Sequence, residues 1–66
     1  MSNLDFYMTR AEEARTEAGN ATLDNVRDRC LRAAAAWDAM ATRAQRSDAF
    51  RAKLAAAKEA EAAAAN

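Results

Sequence analysis

Apolar residues recur along the first third of the chain at alternating steps of three and four: Leu4, Tyr7, Ala11, Ala14, Ala18 and Ala21. That spacing draws one heptad stripe down one face of an α-helix. Ser2 and Asp5, three apart, form a capping-box-like start with Ser2 as N-cap. Gly19-Asn20 is the strong break signal of the chain, and a glycine there can take the left-handed conformation that closes many helices. A second stripe follows: Leu23, Val26, Cys30, Ala33, Trp37, Met40 and Ala44. Thr22 suits its N-cap, and Asp24 in its first turn complements the helix dipole. The pattern predicts one helix over about 4–19 and another over about 23–46.

Beyond Ala44 the pattern weakens and rotates to Phe50, Leu54, Ala57, Glu61 and Ala64. Ser47-Asp48 would suit the cap of a separate helix. Yet neither Gly nor Pro interrupts the run, so a helical extension over about 48–62, continuing the second helix, is favoured over a short third helix folded back. The tail 63–66 is expected to fray, because unpacked helix ends are marginal in water.

The fold class expected is therefore all-α: an antiparallel helical hairpin with a long second helix or a short third one, a single domain over 1–66. Folding across a loop near 19–22 pairs Ala18 with Val26 and Ala14 with Cys30. Ala11 falls beside Ala33 or Ala34, Tyr7 beside Trp37, and Leu4 beside Met40 or Ala44. The middle layers are small, which lets two helices approach closely. The open end gathers the bulk, with Trp37 as its central packing residue.

Composition reinforces this picture. Of 34 hydrophobic residues 21 are Ala, with one Gly and no Pro, and the rest is rich in Arg, Glu and Leu. This is the composition of long helices, and it leaves few large side chains for a core. Chains this small often need oligomerisation or a partner to be stable. Self-association into a helical bundle is the expected solution.

Charge and chemistry narrow the function. Ten basic and ten acidic residues cancel, whereas nucleic-acid binding normally shows a basic excess. Eight of the ten cations are Arg, and Arg27, Arg29, Arg32, Arg43, Arg46 and Arg51 make the second helix locally basic. Asp24, Asp28, Asp38 and Asp48 are interleaved with them. Intrahelical pairs are expected for Asp28 with Arg32, Glu12 with Arg15, Asp24 with Arg27 and Asp48 with Arg51. Arg29, Arg43 and Arg46 lack such partners, although Arg29 is placed to reach across to Glu13 or Glu17.

There is no His, so the usual general base and commonest metal ligand are missing. Glu12, Glu13 and Glu17 lack the Glu-x-x-His partners of a di-metal bundle and read as a solvated acidic face. The lone Cys30 cannot form an internal disulfide and reads as a small buried hydrophobe. No catalytic residue, cofactor or metal is expected, and no enzyme. The absence of a cysteine pair in so small a chain favours a reducing, cytoplasmic setting. The start has no positive n-region of a signal peptide, and apolar runs far below a membrane span predict no membrane partner.

What remains is surface. Phe6, Tyr7, Met8, Trp37 and Met40 at the open end, with Phe50 and Leu54 beyond it, exceed what a hairpin can cover, and aromatics are common interface anchors. These seven are the candidate interaction surface. The stretch Phe6-Tyr7, then Arg10-Ala11-Glu12-Glu13-Ala14-Arg15, then Asn25-Val26-Arg27-Asp28-Arg29-Cys30-Leu31-Arg32 and Ala35-Ala36-Trp37-Asp38-Ala39-Met40-Ala41 with Arg43, resembles short helical proteins of α-proteobacteria over roughly residues 6–54. The resemblance implies a bacterial cytoplasmic helical hairpin and no chemistry. The function expected is a non-catalytic helical interaction module that forms a homodimer or docks on a larger protein. The alternative is a nucleic-acid-associated or regulatory protein using the Arg-rich helix.

Overall fold

A computed structural model describes residues 3–65. It contains two helices, α1 at Asn3–Asn20 and α2 at Asp24–Ala65, and no strand among the described residues. The expected Ser2 cap lies outside them. The molecule is an antiparallel hairpin in which one helix far outruns the other. At ~1.5 Å per residue α1 spans about 27 Å and α2 about 63 Å, and the longest dimension is 65 Å.

The α1 stripe lies where the heptad places it. Ala11, Ala14 and Ala18 are buried, and Leu4, Tyr7 and Ala21 are half-covered. The α2 stripe follows a different register. Val26, Cys30, Ala34, Trp37, Ala41 and Ala44 face α1, while Leu23, Ala33 and Met40 do not. Three physical reasons account for the shift. A straight α-helix drifts ~20° per heptad from a strict seven-residue repeat. Residues 33–36 are all alanine, so no side chain there fixes the register. Putting Ala41 rather than Met40 in the seam also lets the backbones close.

The connection is the three residues 21–23. Leu23, which the heptad counted as core, is a solvent-facing loop residue. Its carbonyl accepts the first helical hydrogen bond of α2, from the Arg27 amide at 3.0 Å. That makes Leu23 the N-cap position instead of Thr22. Gly19 is not the expected left-handed cap either. It stays in the right-handed helix, with no positive φ among the described residues, and the turn closes when the Ala21 amide donates to the Ala18 carbonyl at 3.3 Å. The Arg27 guanidinium donates back to the Ala21 carbonyl at 3.1 Å and pairs with Asp24 at 3.4 Å, tying the loop to the first turn of α2.

α2 passes through Ser47 without a break, so no third helix folds back. Ser47 and Asp48 do not cap anything. The Arg51 guanidinium, one turn on, donates to the Ser47 hydroxyl at 3.2 Å and pairs with Asp48 at 3.5 Å. Helix continues through 63–65, where a frayed tail was expected. Past Ala44 every described residue is exposed, and Ser47, Asp48 and Arg51 only line the rim of a notch beside Asn3, Leu4 and Tyr7. We call residues 3–44 the body and 45–65 the arm. Initiating a helix is the unfavourable step, whereas each added residue of a good former is close to neutral or favourable. The body supplies the nucleus, and the alanine-rich arm, with Ala the best helix former, propagates from it.

Candidate interaction surface

The core of the body is made of small residues. Ala11 is fully enclosed, at 0% exposure, and no large side chain is fully buried among the described residues. Cys30 sits in this seam, 8% exposed, and its thiol donates to Glu17 Oε2 at 3.9 Å. It is a small packing residue with one weak polar contact. Glu13, the other acceptor proposed for Arg29, pairs with Arg10 at 3.4 Å.

An ion pair crosses the hairpin between Arg15 and Asp38, with contacts of 3.0 and 3.2 Å. Helical side chains lean toward their own N-terminus, so on antiparallel helices residues several positions out of register converge. Arg15 also donates to Glu12 at 2.9 Å. The hydrogen bonds it donates to Glu12 and then to Asp38 push the Arg15 guanidinium further above its ordinary range. Asp24–Arg27, Asp48–Arg51 and Glu12–Arg15 close as the spacing predicts. Asp28–Arg32 does not close among the described residues.

Only part of the open-end cluster assembles. Tyr7 stacks on Trp37 with centroids 6.1 Å apart, and Phe6 stands edge-on to Tyr7 and to Trp37 at 5.8 Å each. These separations suit aromatic attraction. Arg10 lies over the outer face of Phe6 at 5.2 Å. Trp37 is thus half-buried in a three-ring cluster rather than enclosed. Met40 flanks a notch with Leu4, Tyr7 and Ala44 where the arm leaves the body. Met8 does not join: it lies on the other flank of α1, beside Thr9 and Glu12.

Phe50 and Leu54 stand apart from all of these, on the arm, 63% and 47% exposed. At about 100° per residue their stripe lies some 140° around α2 from the seam that faces α1. It is the far side of the helix, and no fold of this hairpin can cover it. Of the ten cations, Arg29, Arg32, Arg43, Arg46, Lys53 and Lys58 make no ion pair among the described residues, and neither do Glu59 and Glu61 on the arm. The spacing foresaw the lack of an intrahelical partner for Arg29, Arg43 and Arg46, but the expected reach of Arg29 across to Glu13 or Glu17 does not form among the described residues. It missed the Arg15–Asp38 pair, which only the lean of the side chains reveals.

No cluster of His, Cys, Asp and Glu among the described residues has a metal-holding arrangement, and no helix among them is long and apolar enough to cross a membrane. No protein-family model, curated protein or solved structure matches the chain.

Proposed function

We propose that this protein is a non-catalytic helical interaction module: the body is a scaffold, the arm is the working surface, and its principal partner is a second copy. The observation that carries this is the uncovered far face of the arm. Phe50 and Leu54 stand one turn apart on it, and the body cannot reach them. Burying each is worth about 1.5–3 kcal/mol when complete, and that gain is open only to another molecule. The bacterial cytoplasmic setting implied by the resemblance belongs to the same reading. Sedimentation equilibrium tests it. The expected result is a monomer–dimer equilibrium, with a melting temperature that rises with concentration. Phe50→Ser with Leu54→Ser should return the chain to a monomer of unchanged body helicity. A double variant that keeps the dimer mass would put association elsewhere.

A second reading has its own support in the six unpaired cations on α2. Under it the chain is a nucleic-acid-associated protein, and binding to duplex DNA or RNA weakens steeply as salt rises. Fluorescence anisotropy at two salt concentrations distinguishes the two, since apolar dimerisation keeps its strength in salt.

A further inference from the structure

Resting on the self-association reading, we propose that two arms pair antiparallel about a two-fold axis between Lys53 and Leu54. Each Phe50 then lies over the partner's Ala57, and each Glu61 lies against the partner's Arg46. The arm's far face is self-complementary in only one direction. Residues equally distant from the axis meet, so the bulky ring of Phe50 falls on a methyl-sized position, and at the centre each Leu54 meets the aliphatic stem of the partner's Lys53, next to the other Leu54. Knobs of one helix need holes in the other, and large against small provides them. Charge points the same way. Glu61 and Arg46 make no ion pair among the described residues, nor does Arg43, which stands one turn from Arg46.

Parallel pairing in register fails on both counts. It sets Phe50 against Phe50 and Ala57 against Ala57, and it lines up Arg43, Arg46 and Glu61 with their own copies. Like charges directly opposed are destabilising. A polyanion or an anionic membrane surface would welcome Arg43, Arg46 and Lys53 but would meet the Glu61 carboxylate on the same stripe. The body does not obstruct the antiparallel pair, because α1 packs on the other side of α2 and the two bodies lie at opposite ends of the overlap.

The test uses the full chain and two readouts. Arg46→Glu should weaken dimerisation about five- to tenfold, because two exposed pairs become two repulsions. Adding Glu61→Arg to it should recover most of that loss. Spin labels on Thr42→Cys, in a Cys30→Ala background, should lie about 35 Å apart in the dimer, from twice the ~1.5 Å rise per residue to the axis. A parallel pair would hold them within about 20 Å, given helix spacings of 8–10 Å. A dimer with the short distance, or one indifferent to both charge changes, overturns antiparallel pairing while self-association stands. A chain that sediments as a monomer at every concentration overturns both.

Discussion

The two halves of α2 are both rich in alanine and carry seven charged residues each, yet they are opposite in circumstance. In the body, alanine is a spacer: Ala34 and Ala41 are buried because α1 lies against them, and their small size sets how close it comes. In the arm, Ala52, Ala55 and Ala62 continue the same side of the helix with nothing beside them, and there alanine contributes only helix propensity. One residue type thus serves packing in one half and backbone preference in the other. What separates the two is the length of α1, which ends at Asn20 before the connecting loop and covers no residue of α2 past Ala44. The large side chains divide in the same way. Trp37 finds two ring partners in α1, whereas Phe50 finds none.

The strongest way to break this contrast is to remove the two aromatic rings in turn. Trp37→Ala should cost the body about 2–3 kcal/mol, less than the ~3–5 of an enclosed Trp, because the ring is only half covered. For a domain this small that lowers Tm by roughly 10–20 °C. Phe50→Ala, measured at a concentration too low for dimers, should leave Tm unchanged. Equal losses in thermal melts by circular dichroism would show that the arm packs on its own body after all.

A narrower test enlarges alanine in each half. Ala11 is fully enclosed, so Ala11→Leu should overpack the seam by about 1–3 kcal/mol. Ala52→Leu, on the matching side of the arm, should be neutral, as Leu is nearly as good a helix former as Ala. Chemical denaturation of both variants gives the comparison directly. A neutral Ala11→Leu would mean that the helices stand further apart than the structure has them.

How far these features were legible in the sequence depends on what marks each position. The α1 stripe was fully readable, because Leu4 and Tyr7 fix its phase and polar residues flank each alanine. In α2 the phase was lost at 33–36, where four alanines in a row carry no polar contrast, and Met40 then looked more like core than Ala41. Hydrophobicity ranks methionine higher, but close approach selects the smaller side chain. The continuous helix through Ser47 was legible from the absence of Gly and Pro. Phe50 and Leu54 were legible as surplus apolar surface, because the layer count exhausts α1 at about Ala44. The grouping of Met8 with the rings was wrong for an angular reason: Phe6 and Met8 are neighbours of Tyr7 in sequence but stand on opposite flanks of the seam.

The smallest predicted effect concerns the residue whose role the sequence misassigned. Gly19 reads as a left-handed terminator, and in that role it would be hard to replace, since a Cβ is strained at positive φ. The structure instead has Gly19 inside α1 with ordinary helical φ, and a Cβ built on it meets nothing within 4 Å. Glycine there only adds freedom to the unfolded chain. Gly19→Ala should therefore stabilise the body by about 0.4–1 kcal/mol, through the unfolded state and the better helix propensity of alanine. The gain belongs to the body alone, so the dimerisation constant, set by the arm, should not move. Urea denaturation and sedimentation of the one variant read the two quantities separately. A loss of stability would restore the left-handed cap and end α1 a residue or two earlier. A gain accompanied by tighter dimers would show that body and arm are coupled, and the division drawn between the halves of α2 would fall.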